Sequence, residues 1–303
     1  MKEKLRRLLA YTCSRVPLAE KMLQRACAAD LPGARSTATA YVQVLPAVTV
    51  RRAILNGYTL RVNVAEWRGV TTYFLGDSHT LWFVPELVRP GDVCLDIGAN
   101  MGHYTILLAY RVGTAGRVVA CEPQPPFADL IARSASENGY DEVVDVERRA
   151  VCDVSGETLT LHLGTSDNSG LASLYEEFYR GCFKGEKRGE GAIQVESVTL
   201  EDVFEEKGID HARFVKVDVE GAEHRVVDGA CRLLVDRRID YLLVETVAEG
   251  RADRRLTDLG YTGYYVDTKN RLLVDASRGE KDRVEDYLFV SPELPEDHVP
   301  VVA

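Results

Sequence analysis

The chain has 303 residues, 46% of them hydrophobic, which is enough to bury the core of one full domain with an appendage. Its 47 acidic residues outnumber 37 Lys and Arg, for a formal net charge of −10, so it lacks the basic field that non-specific nucleic-acid binding draws on, and no nucleic-acid partner is expected. Seven cysteines without a C-x-x-C pair or Cys/His ligand spacing argue against a disulfide framework or a structural zinc; with no signal-like apolar stretch, a soluble cytoplasmic protein is expected.

In chain order, Leu5, Leu8, Leu9, Val16, Leu18, Met22 and Leu23 recur at mixed helical spacing broken by Pro17, which predicts two short amphipathic helices. Lys2, Lys4, Arg6, Arg7, Arg15, Lys21 and Arg25 face only Glu3 and Glu20, so this end is locally basic. A surface-packed extension over residues 1–40 is the plain reading, and docking to a membrane surface or a carrier protein is the sharper one. Residues 41–75 are rich in Val, Thr, Tyr and Leu around Asn56-Gly57, which signals antiparallel hairpins and a β-rich subdomain over 41–89.

From Pro90 to the end, residues 90–303, strands alternate with helices. The strands are Val93–Ile97, Arg117–Cys121, Val143–Glu147, Phe214–Val219 and Tyr241–Val247; the helices are Tyr104–Val112, Phe127–Asn138 and Ala222–Val235. This is an α/β pattern, a Rossmann-like, mainly parallel sheet covered on both faces, and Tyr261–Val266 and Tyr287–Ser291 would finish it with an antiparallel last strand. An insertion with a hairpin-like Glu157–Leu163 and a polar tip at Gly181–Gly191 would form a loop over the ligand or an exposed one.

The most informative stretch is Asp96-Ile97-Gly98-Ala99-Asn100-Met101-Gly102, between a hydrophobic strand and an apolar helix. Its small residues let the chain turn sharply and bring backbone against a ligand. A dinucleotide site would want G-x-G-x-x-G facing a pyrophosphate; here the glycines are Gly98 and Gly102 and an acid precedes the first, which favours a cofactor without phosphate. S-adenosylmethionine fits, because Asp96 can face its cationic groups and Glu122, ending the second strand, can accept both ribose hydroxyl hydrogen bonds.

These residues, with Glu122-Pro123, Glu137-Asn138-Gly139, Ser169-Gly170, Thr199-Leu200, Lys216–Glu223 and Glu245, resemble the FkbM-type methyltransferases from about Pro90 to Glu245. The resemblance implies a class I methyltransferase sheet and S-adenosylmethionine bound through Asp96, Gly98, Asn100, Gly102 and Glu122, with Ala99, Tyr104, Pro123 and Asp218 among the cofactor contacts. It also implies that Ala150 and Val151 border the adenine, and that the methyl goes to a hydroxyl of a sugar, glycolipid or polyketide-like small molecule, as in natural-product biosynthesis.

In open parallel sheets the ligand sits outside the carboxyl ends of the strands, so Asp218 and Glu220 should face the reacting methyl group. An alcohol needs a proton acceptor, and Asp218 is the first candidate base, Glu220 the second and His224 the third. Lys216, if buried, needs an acid, and Glu245 is the expected partner. No metal is expected, because the mouth lacks a dense Asp/Asn cluster. The other readings are a non-catalytic module of the same fold and, with less support, a nicotinamide-dependent oxidoreductase. Acceptor choice would lie in residues 41–75 and 164–192.

Overall fold

The computed structural model describes residues 2–45, 48–76, 81–165, 168–176, 191–276 and 283–295. The chain opens with α1 (Lys2–Arg15) and α2 (Pro17–Ala28), split by Pro17 as the sequence predicts, and a short α3 (Ala34–Thr39) follows. One hairpin then forms, β1 (Val50–Ile54) against β2 (Thr59–Asn63), turning at Asn56-Gly57 with Gly57 at φ +99°. The backbone of β2 docks on a helix of the main layer: Thr59 N–H donates to Asn138 Oδ1 at 2.8 Å and Arg61 N–H to Ser134 Oγ at 2.9 Å.

The second hairpin expected before residue 75 is absent. Residues 67–75 instead form α4 (Trp67–Leu75), which buries Gly69, Val70, Thr72 and Phe74, and α5 (Val84–Leu87) comes next. The β-branched composition misleads here because tertiary burial overrides local preference, and Thr71 and Thr72 return their hydroxyls to the carbonyl of Arg68. Gly69 is required by packing: a Cβ there would lie 1.9 Å from the Asn63 carbonyl oxygen. Gly69→Ala is therefore expected to cost about 1–3 kcal/mol by forcing α4 off the hairpin, seen as a thermal midpoint several degrees lower.

The main sheet contains β3 (Val93–Ile97), β4 (Arg117–Cys121), β5 (Val144–Glu147), β9 (Ala212–Val217), β10 (Ile239–Val247), β11 (Thr262–Asp267), β12 (Leu272–Asp275) and β13 (Val284–Val290). Its order is β12-β11-β13-β10-β9-β3-β4-β5. β5, β4, β3, β9 and β10 are parallel, and β13 runs antiparallel to both β10 and β11, which is the expected class I methyltransferase sheet. The chain leaves β3 toward β4 and β5 and later returns to β9 on the other side. A crevice therefore opens at the carboxyl ends of β3 and β9, where strand order reverses.

Alternate side chains feed two cores, as period-2 strands buried on both faces must. Cys94, Val118, Ala120 and Phe214 join α6 (His103–Val112), α7 (Pro125–Glu137), the hairpin and the N-terminal helices in one buried cluster that reaches from Ala10 to Val290. Leu95, Val119, Cys121 and Val215 join α8 (Leu200–Glu206), α9 (Glu223–Asp228), α10 (Cys231–Val235) and α11 (Arg251–Asp258) in the other. The single helix expected over 222–235 is two, because a Cβ at Gly229 would lie 2.1 Å from the Cys152 carbonyl oxygen and the chain breaks where it meets that strand.

A small sheet of β6 (Ala150–Cys152), β8 (Ala192–Thr199) and β7 (Thr158–His162) extends beside the main one, so the hairpin-like Glu157–Leu163 finds its partner in β8. The expected polar tip at Gly181–Gly191 lies, apart from Gly191, outside the described residues.

Candidate active site

Gly98, Asn100 and Gly102, directly after β3, all hold positive φ, at +78°, +50° and +85°. At Gly98 a side chain is excluded twice over, by that angle and because a Cβ would lie 1.8 Å from the Asp218 carbonyl oxygen. The turn is tied to the next strand by Glu122: one carboxylate oxygen accepts the Asn100 N–H at 2.8 Å and the other the Gln124 N–H at 2.9 Å. Glu122 is buried, and burial pushes its carboxyl up to about 7 against those two donors.

Of the expected cofactor residues, Gly98, Asn100, Glu122, Pro123, Ala150, Val151 and Asp218 line one slot, and Gly170, Ala172 and Leu174 also border it. Four others shape the slot without lining it. Ala99 and Gly102 sit within the turn. Asp96 is buried behind it, with one oxygen accepting the Thr105 hydroxyl at 2.7 Å and the other left without a hydrogen-bond partner. Tyr104 stands apart from the slot lining: its hydroxyl accepts the Leu81 N–H at 3.3 Å and its ring lies 5.1 Å from the Lys216 ammonium, where it cushions that charge.

Next to the slot is a second pocket of about 320 Å³, sharing Gly98, Asn100, Gly170, Asp218 and Glu220 with it and extending to Trp67, Arg68 and Glu245. Register explains how the charged groups meet. Asp96, Lys216 and Leu243 are aligned across β3, β9 and β10, so Asp218 and Glu245, each two residues on, emerge together from the same sheet face. Asp286 of β13 lies opposite Glu245.

Lys216 does not pair with Glu245. Its ammonium binds Asp218 Oδ2 at 2.8 Å, because the acid two positions along its own strand is the nearer one. Burial works against ionisation of Asp218, but Lys216 and then Arg68 outweigh it and hold this carboxyl below the ordinary range. Its neighbours move the other way: burial, then the Asp218 charge, pushes Glu220 up to about 8, Glu245 up to about 9 and Asp286 up to about 6. At neutral pH Asp218 is therefore ionised and Asp286 mostly so, beside Glu220 and Glu245, which favour the protonated form.

Glu220 adopts φ +55°, which is strained for a side chain of its size, and Gly221 follows at +102°. Glu223 secures this turn by accepting the N–H groups of Val219 and Gly221, both at 3.0 Å. His224 does not join the acids. Its ring stacks on Tyr175 at 6.1 Å and Nε2 lies 3.4 Å from the Tyr175 hydroxyl, because α9 turns it away from both pockets.

The reason given for expecting no metal also needs revision. Asp218, Glu220 and Glu245 each offer an oxygen, and these atoms lie within 4.8 Å of one another, a spacing that a hydrated divalent cation can bridge. Lys216 and Arg68 already supply positive charge beside them.

Several pocket residues carried no sequence signal. Trp67 and Arg68 come from the helix read as a strand, and Glu66 before them holds the far segment: its carboxylate accepts Asn63 Nδ2 at 2.5 Å, the Ser169 N–H at 3.2 Å and the Ser169 hydroxyl. Ser173 Oγ donates to the Glu220 carbonyl at 2.6 Å, so residues 168–174 form a roof fastened at both pockets.

A family model described as the Methyltransferase FkbM domain matches residues 96–261, more than half of the chain. The chain belongs to the FkbM methyltransferase family. The 31-O-demethyl-FK506 methyltransferase FkbM of Streptomyces tacrolimicus is 33% identical over 195 residues, covering 57% of this chain and 73% of that protein. The hexuronic acid methyltransferase AglP of Haloferax volcanii is 24% identical over 197 residues, covering 64% and 72%. The FkbM match contains the slot and Asp218, Glu220 and Glu245, and leaves Trp67, Arg68 and Asp286 outside it.

Proposed function

We propose that this FkbM-family chain is an S-adenosylmethionine-dependent O-methyltransferase acting on a hydroxyl of a sugar, glycolipid or polyketide-like small molecule. The observation that carries the reading is the junction of the two pockets, where the slot floored by Gly98 and Glu122 meets Asp218 and Glu220. The slot suits the cofactor chemically. Glu122 offers free lone pairs for ribose hydroxyls beside the two N–H groups it already accepts, and Pro123, Val151 and Leu161 give apolar walls for a base. The orphaned oxygen of buried Asp96 leaves an acceptor near the turn for a bound water or ammonium. A pyrophosphate would meet these acids unfavourably, which disfavours a nicotinamide cofactor.

When bound, S-adenosylmethionine supplies an electrophilic methyl group. The work left to the chain is positioning, since an in-line displacement needs the acceptor oxygen held roughly 3 Å from the carbon, and removal of one proton. Asp218 is the group suited to receive that proton, being ionised and fixed by Lys216. Protonated Glu245 and Glu220 can donate hydrogen bonds to Asp218 and to acceptor oxygens. The segment 168–174 borders the junction on both pockets.

The test is calorimetry of the intact protein with S-adenosylhomocysteine, followed by transfer of labelled methyl to a panel of sugars, uronic acids, glycolipids and macrolide alcohols. Binding without transfer to any of them would favour the non-catalytic reading. For acceptor contacts, Trp67→Ala is expected to raise the acceptor KM about 10-fold while leaving S-adenosylhomocysteine affinity within about twofold, the pattern of lost ground-state contacts, whereas Arg68→Ala should lower kcat as well, because Arg68 helps hold Asp218 ionised. The six described cysteines are all unpaired, which supports a reducing, cytoplasmic setting.

A further inference from the structure

The N-terminal helices leave a surface that the site does not use. α1 buries only Ala10 of its 14 residues, and Leu5, Leu8 and Leu9 are exposed at helical spacing. Eight of the fifteen exposed large apolar side chains among the described residues fall within residues 5–31, so the exposure is concentrated, not scattered. An apolar groove of about 580 Å³ runs between α1 and α2, lined by Leu5, Leu9, Met22 and Leu23, with Lys2 and Arg6 at its rim.

Charge distinguishes the possible occupants. Residues 2–28 hold seven cations and two anions, a net +5 within a chain of net −10, and all seven cations are exposed. Both anions are already engaged, Glu3 by Arg7 at 2.7 Å and Glu20 by Arg51 at 3.3 Å. A second copy seated by symmetry would set this excess against itself, and no helix among the described residues is long and apolar enough to cross a membrane. Apolar side chains flanked by lysines and arginines match the interface of an anionic bilayer, where leucines enter the acyl boundary and cations stay with the headgroups.

We propose that α1 and α2 dock the protein onto anionic membrane surfaces. The placement also serves the site. Gln24 of α2 donates to the Tyr73 carbonyl of α4 at 3.3 Å, and the other end of α4 carries exposed Trp67 at the second pocket. Nine helical residues span roughly 13 Å, so a bilayer lying on this surface would be within a helix length of the acceptor pocket.

The experiment is co-sedimentation of the full chain with extruded vesicles of phosphatidylcholine alone or mixed in equal parts with phosphatidylglycerol, at low and high salt. Binding is expected with the anionic vesicles only, weakening with salt, and falling about fivefold for each of Lys4→Ala and Arg6→Ala. Leu5→Ser with Leu9→Ser should abolish it while the circular dichroism melt stays unchanged, since neither side chain is buried. Failure to pellet with anionic vesicles overturns the proposal. So does a concentration-dependent dimer in light scattering that the Leu5/Leu9 variant disrupts, which would give the face to a second copy, or binding unaffected by all four substitutions. None of these readouts depends on methyl transfer.

Discussion

Replacing Glu122 with Ala is expected to weaken S-adenosylhomocysteine binding by at least about 100-fold, because hydrogen bonds to a buried carboxylate contribute about 1.5–3 kcal/mol each and the proposed cofactor pose rests two ribose hydroxyls on it. The same change frees the N–H groups of Asn100 and Gln124, so the turn itself loosens. Glu122→Gln separates the two effects: its amide oxygen can still accept one of them, and an intermediate loss is expected. The pH dependence has a definite sign. In the proposed pose ribose hydroxyls would donate to the ionised form, whose pKa burial has pushed to about 7, so binding should strengthen as pH rises through 7 and decline below it. Calorimetry between pH 6 and pH 8 checks this; affinity unchanged by Glu122→Ala would remove Glu122 from the site.

Asp218→Asn should lower kcat by about 10²- to 10⁴-fold, the usual worth of a positioned proton acceptor, with S-adenosylhomocysteine affinity nearly kept. Since Lys216 and Arg68 hold Asp218 ionised, the wild-type kcat at saturating cofactor should stay flat across neutral pH, and Glu220→Gln should cost far less. A rate that instead climbs through about 8 and disappears in Glu220→Gln would move the role to Glu220, whose carboxyl titrates there. Loss of activity on chelation, restored by a divalent ion, would assign the three carboxylates to a metal.

The central sheet and the glycine turn after β3 are readable because both are local signals. The strand runs Val93–Ile97 and Arg117–Cys121, and the turn at Gly98–Gly102, need only neighbouring residues to declare themselves. What the sequence hid is set by register and tertiary packing. The Lys216–Asp218 pair is itself a local signal, two positions apart along one strand, whereas the approach of Glu245 to Asp218 follows from the register of β10 on β9. Asp286 joins the acids only because β13 inserts beside β10, 41 positions after Glu245 in the chain. The segment 67–75 looked like a strand because Thr, Tyr and Val favour extended backbone, whereas burial of Val70 and Phe74 on one side made it a helix.

The clasp in which Glu66 grips Ser169 joins two stretches, neither of which is a strand of the main sheet. The clasp thus ties a helix that lines the second pocket to a segment that borders both pockets. A change at either flank is therefore felt in both pockets at once, because Ser173 also holds the Glu220 carbonyl and α4 packs directly on the hairpin.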